Sequence, residues 1–132
     1  MKVKKNNGLA GIDTIVAIIA VSIFSTLIFT LLFNNVRQNI KLKRDTLAMI
    51  HITEIFENIG IESYENITEA NIINSLIPKD VKNNYGVEVS VTNYFPDIQN
   101  YEDIMKKVTV KLSYTIEDKQ YTCSMERIKG KE

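Results

Sequence analysis

The chain has little of what small catalytic or secreted domains depend on. Among its 132 residues there is one cysteine, Cys123, so no intramolecular disulfide can form. A disulfide-stapled secreted scaffold is thereby excluded. The single histidine, His51, has no ligand partners near it in sequence and reads as a solvated or packed side chain. No serine or cysteine has a usable histidine beside it, no metal-ligand cluster is present, and none of the five glycines forms a phosphate-cradling loop. Neither catalysis nor a bound cofactor is expected. Charge of one sign is also lacking: 16 basic and 16 acidic residues cancel, leaving no strong field to steer the chain to nucleic acid or acidic lipid. Lys106, Lys107 and Lys111 are a thin basic candidate with Glu102 and Asp103 close by, so no nucleic-acid partner is expected. Proline occurs only at 78 and 96, which leaves the first half of the chain open to long helix.

What is present is one long apolar run. Residues 14–33 contain no charge and no proline, and their polar members are Thr14, Ser22, Ser25, Thr26 and Thr30. Hydroxyls of this kind bond back to helix carbonyls. Twenty residues at ~1.5 Å rise cover ~30 Å, the thickness of a bilayer core. An acid, Asp13, stands at the edge of the run, and before it come Gly8 and a leader with Lys2, Lys4 and Lys5. A carboxylate at the edge of a membrane span is costly and needs a reason. If the leader is removed, 13 basic and 16 acidic residues remain.

Three readings of this N-terminus compete. A secretory signal has an apolar core of ~7–15 residues followed by a small-x-small cleavage site. Here the run is longer, and Leu31-Leu32-Phe33-Asn34-Asn35 offers no such site. A plain signal anchor fits the length but gives Gly8 and Asp13 no role; Asp13 would then only cap the helix or snorkel to the interface. The third reading cuts before the run. Lys4-Lys5-Asn6-Asn7-Gly8, then Leu9-Ala10-Gly11-Ile12-Asp13, then the apolar helix, resembles the type IV prepilin family, which includes the pseudopilins of type II secretion and competence systems. This chain has Leu9, Gly11 and Asp13 where the family usually has phenylalanine, a hydroxyl residue and glutamate, and it lacks the mid-helix proline of many members. In these respects it resembles a minor subunit more than a major one.

The resemblance implies a structural role. A membrane prepilin peptidase would cleave after Gly8 and methylate the new amino terminus at Leu9. Asp13 would then pair with the amine of a neighbouring pilin or pseudopilin subunit and set axial register in the helix bundle. Opposite charges in a low dielectric attract strongly, and an unpaired one is costly. The N-terminus would lie in the cytoplasm and the C-terminal domain outside the inner membrane, in lipid or in a filament. Charge does not choose this orientation, because Arg37, Lys41, Lys43 and Arg44, offset by Asp45, balance the leader lysines.

Beyond the apolar run, helix is expected to continue. Residues 34–58 contain no proline or glycine, and Ala48, Ile52, Ile55, Phe56 and Ile59 form one apolar stripe. Gly60 is the expected stop. A helix over 9–59 would be ~75 Å long, and its stripe would serve as the floor of a head domain. Residues 61–85 read as a connector in which Thr68 opens a short helix carrying Ile72, Ile73, Leu76 and Ile77, stopped by Pro78. Asn66-Ile67-Thr68 matches a glycosylation sequon, a triplet common by chance.

The last third alternates. Val87, Val89 and Val91 interleave with polar residues, as do Val108, Val110, Leu112, Tyr114 and Ile116, the pattern of strands with one buried face. A polar turn at 117–120 leads to a third strand with Tyr121, Cys123 and Met125 inward, Cys123 acting there as a small hydrophobe. The loop with Asp97, Asn100, Glu102 and Asp103 has calcium-type oxygens but neither EF-hand spacing nor glycine, and reads as solvated. The expected architecture is α+β, a long N-terminal helix on a three- to four-stranded antiparallel sheet. Its expected segments are a leader (1–8), a membrane or filament-core helix (9–33), a helical continuation (34–60) and a head (61–132). The function so implied is a structural subunit of a pilus, secretion or competence filament. The alternative is a single-pass membrane protein with a small extracytoplasmic binding domain.

Overall fold

The computed structural model describes residues 7–95 and 104–131, with side chains from residue 11 onward. Helix α1 spans Asn7–Ile61, and the chain divides into two compact units, residues 1–41 and 42–132.

In the first unit α1 is bare. Every large apolar side chain from Ile12 to Phe33 is more than half exposed. The most apolar 18-residue window of the helix has mean hydropathy 2.7 and buries none of its residues within the protein. Such a surface in water would be a very large apolar patch. A helix this long and apolar is compatible with membrane insertion. The hydroxyls behave as the sequence suggests: Ser22 donates to the Ile18 carbonyl, Thr26 to Ser22 and Thr30 to Thr26, each at 2.8 Å. These three hydroxyls are satisfied inside their own helix, so an apolar surround does not orphan them.

In the second unit the helix is amphipathic. Ala48, Ile52, Ile55, Phe56 and Ile59 are all buried, at 2% exposure or less. They meet Val108, Val110 and Leu112 of the sheet, which are fully buried. This is the stripe that 3.6-residue spacing requires. Fully burying a side chain of this size contributes ~1.5–3 kcal/mol, so this seam is the main support of the head.

The sheet has three antiparallel strands in the order β1-β2-β3: β1 Gly86–Asn93, β2 Met105–Ile116 and β3 Lys119–Gly130. Val89 pairs with Val110, and Val110 pairs with Met125, so one row of apolar side chains crosses all three strands on the helix side. β1 and β2 run close together at Gly86, where a Cβ would collide with the Ser113 hydroxyl. The β2–β3 turn is tighter than the four polar residues suggest. Lys119 already pairs with Ile116 and Gln120 with Thr115. Only Glu117 and Asp118 turn, both left-handed with φ 46° and 65°, the pattern of a type I′ hairpin.

One expectation at the end of α1 changes. Gly60 does not stop α1, which runs on to Ile61; no glycine among the described residues has positive φ, so a left-handed glycine cap is absent there. The helix is instead closed from the sheet. Arg127 Nη1 donates to the Phe56 carbonyl at 3.1 Å and Lys129 Nζ to the Gly60 carbonyl at 2.9 Å. Lys129 satisfies an acceptor that the helix end leaves open, Arg127 adds to a carbonyl one turn earlier, and both cations suit the negative dipole end.

The connector also holds more structure than expected. Thr68 caps α2 (Glu69–Asn71) by accepting from the Asn71 amide at 3.2 Å. The chain then widens into one π turn, Ile72–Leu76, in which Ile77 N–H reaches the Ile72 carbonyl at 3.1 Å. This spacing drops both Ile72 and Ile77 into the core. Pro78 stops that turn and also starts a further helix, α3 (Lys79–Asn84), which buries Val81. Its preset φ suits a helix start as well as a stop.

Candidate functional site

Gly8 and Leu9 lie in the first turn of α1, and Asp13 follows Leu9 by four residues, one helical turn. The Asp13 side chain is exposed, at the near edge of the bare apolar segment. Asp13 is the seventh residue of α1, beyond a first turn that holds no acid, so the dipole of the helix start, which acts within that turn, does not account for it. An amine at Leu9 would place a positive charge one turn from the carboxylate.

The head contains a polar cluster that the sequence reading missed. Asp45 on α1 is half-buried and its Oδ1 accepts from two strands. Tyr114 of β2 donates its hydroxyl to it, and Cys123 of β3 donates its thiol at 3.3 Å. Tyr114 is also stacked on Tyr121 at 5.7 Å between ring centroids, and Tyr85 meets it edge-on at 6.2 Å. Burial, the hydrogen bond to Asp45 and the Asp45 charge together push the Tyr114 hydroxyl well above the ordinary tyrosine range. Cys123 does face inward, but it is more than a small hydrophobe: it is a donor to Asp45. The signal for Asp45 was available, since it precedes Ala48 by three residues and Ile52 by seven and so extends the buried stripe.

The remaining candidates resolve into packing roles. His51 is packed edge-on against Tyr85 at 5.9 Å, with Nδ1 3.7 Å from Glu54. The sequon's Asn66 donates to Glu62 at 2.6 Å. The three lysines do not form one patch. Lys106 turns to the core side of β2, where its Nζ donates to the Tyr64 and Ile67 carbonyls at 3.1 and 3.2 Å and lies over the Tyr64 ring. Lys107 pairs with Glu126 on the other face at 3.7 Å. Asp97, Asn100, Glu102 and Asp103 fall outside the described residues. Among the described residues no group of three or more His, Cys, Asp or Glu side chains is placed to hold a metal ion.

No protein-family model, curated protein or solved structure matches this chain.

Proposed function

We propose that the chain is a pilin-like structural subunit, a minor pilin or pseudopilin of a membrane-anchored pilus, secretion or competence filament. In this reading a prepilin peptidase cleaves between Gly8 and Leu9 and methylates Leu9, and the first unit's helix holds the subunit in the inner membrane until it joins other subunits.

The observation that carries the reading is Asp13, exposed one turn after Leu9 at the mouth of a bare apolar helix. In a helix bundle shielded from water, an unpaired carboxylate would be strongly disfavoured and an amine from a neighbouring subunit would relieve it. The rest of the chain suits the role. α1 supplies an apolar segment free to pack against lipid or sister helices, and the second unit supplies a small, self-contained α+β head.

Asp13→Ala tests this. The variant is expected to insert into the membrane as the parent does, because the apolar run is untouched. It is expected to lose subunit–subunit cross-links along the N-terminal helix. Unchanged cross-linking in the variant would contradict the assembly role of Asp13. An N-terminus that stays intact in cells carrying a prepilin peptidase would favour a simple anchored binding protein instead.

A further inference from the structure

The two edges of the sheet differ. At one edge α2 packs on β1, and Glu69 Oε1 accepts the Val91 N–H at 3.1 Å. β3 is the other edge, a strand of 12 residues. Lys131 N–H returns to the Ile104 carbonyl at 2.8 Å, and the two-residue turn closes on the pair Ile116 and Lys119. Both features turn the odd-numbered main-chain groups of β3 toward β2, so those of Gln120, Thr122, Ser124, Glu126 and Ile128 point outward. These five residues are exposed, and among the described residues no backbone hydrogen bond reaches their outward groups. An open edge of this length is a template for a further strand.

Side chains along the edge select the kind of strand that fits. On the helix side Tyr121, Cys123 and Met125 are half-buried. Arg127 and Lys129 follow on the same face, donating to the Phe56 and Gly60 carbonyls; a carbonyl satisfies a donor and leaves its charge in place. A second copy fits this edge poorly. Antiparallel pairing of two β3 strands about Ser124 sets Lys119 opposite a second copy's Lys129, and a slip of two residues either way sets it opposite Arg127 or Lys131. Like charges directly opposite destabilise a strand pair. We infer that the β3 edge docks an extended acidic segment of another protein. That segment adds as an antiparallel strand, with apolar side chains beside Tyr121, Cys123 and Met125 and carboxylates beside Arg127 and Lys129. The inference depends on neither a membrane span nor cleavage at Gly8.

The test uses the full chain in detergent and a fluorescent peptide, Asp-Thr-Asp-Thr-Val-Thr-Val-Thr-Val, read by anisotropy. Antiparallel docking sets its aspartates beside Lys129 and Arg127 and turns its threonine amides to the edge. The expected result is saturable binding that salt weakens and that is lost when lysine replaces aspartate. N-methylation of one central threonine amide is expected to weaken binding about tenfold, through loss of one main-chain bond. N-methylation of a valine amide, which faces away, is expected to change it little. Ser124→Pro removes an outward donor and keeps the β2 ladder; it is expected to weaken binding as the threonine methylation does, with its fold verified by circular dichroism. Absence of saturable binding to the parent chain would overturn the inference. So would equal effects of the two N-methylations, or equal binding of the lysine peptide. A parent-chain dimer that Ser124→Pro dissolves would make a second copy the occupant and overturn it as well.

Discussion

Tyr114 gives its hydroxyl hydrogen bond to Asp45, tying the C-terminal end of the head's central strand to a helix residue 69 positions earlier. The acceptor is a carboxylate, so the bond is of the stronger, charge-assisted kind.

One consequence is alkaline lability. The hydroxyl of Tyr114 is held protonated above the ordinary value of about 10 by burial and by Asp45. In the unfolded chain the same hydroxyl ionises near that ordinary value. The contribution is therefore complete below about pH 10 and declines as pH rises beyond it. Tyr114→Phe is expected to cost ~2 kcal/mol at neutral pH and to flatten the alkaline limb of the stability curve. Denaturant titrations of the full chain in detergent at pH 7 and above pH 10 check both. An alkaline limb unchanged in Tyr114→Phe would remove Tyr114 as its source.

The clamps at the end of α1 make a local prediction. Arg127→Ala and Lys129→Ala each leave a helix carbonyl, of Phe56 or Gly60, without its cation. Each is expected to cost ~1 kcal/mol. The last turn of α1 is expected to fray, with faster hydrogen exchange there and little change in the sheet. Uniform acceleration across the head would instead indicate global destabilisation.

The β2–β3 turn places two non-glycine residues in the left-handed region, Glu117 and Asp118. An Asn-Gly pair adopts this turn with less strain. The double change Glu117→Asn and Asp118→Gly is expected to raise head stability by ~1 kcal/mol, read as a higher denaturation midpoint. A lower midpoint would contradict the turn assignment.

In the core, Leu112→Ala is expected to cost ~2–5 kcal/mol, because Leu112 is fully buried between α1 and the flanking strands. Membrane extraction of the protein should be unaffected, since the apolar segment is far from this change in sequence. Calorimetry and a carbonate wash of membranes separate the two effects.

The parts of this fold that were legible in the sequence are those governed by period. Alternation in β1, β2 and β3 marks which valines meet the helix, and the spacing of Ala48, Ile52, Ile55, Phe56 and Ile59 marks the face that receives them. The apolar run and its hydroxyls followed from composition alone. What periodicity could not supply were contacts made by polar side chains across long sequence distance. Gly60 looked like a stop because helices commonly end at glycine, yet two cations from β3 carry the helix past it. Pro78 looked like an end and is also a beginning, since the same fixed φ serves both. Asp45 looked like one charge among several, and only the third dimension brings Tyr114 and Cys123 to it. The proposed site, Gly8, Leu9 and Asp13, stands as an order of residue types alone, because the cleavage and pairing proposed for it would depend on local sequence.

The central claim is that the first eight residues are a removable leader, and the intact mass of the protein extracted from native membranes tests it most directly. The account predicts a chain beginning at Leu9, lighter by residues 1–8 and heavier by one methyl group. A mass corresponding to an uncut N-terminus with Gly8 and the three leader lysines in place, in cells with an active prepilin peptidase, would contradict it.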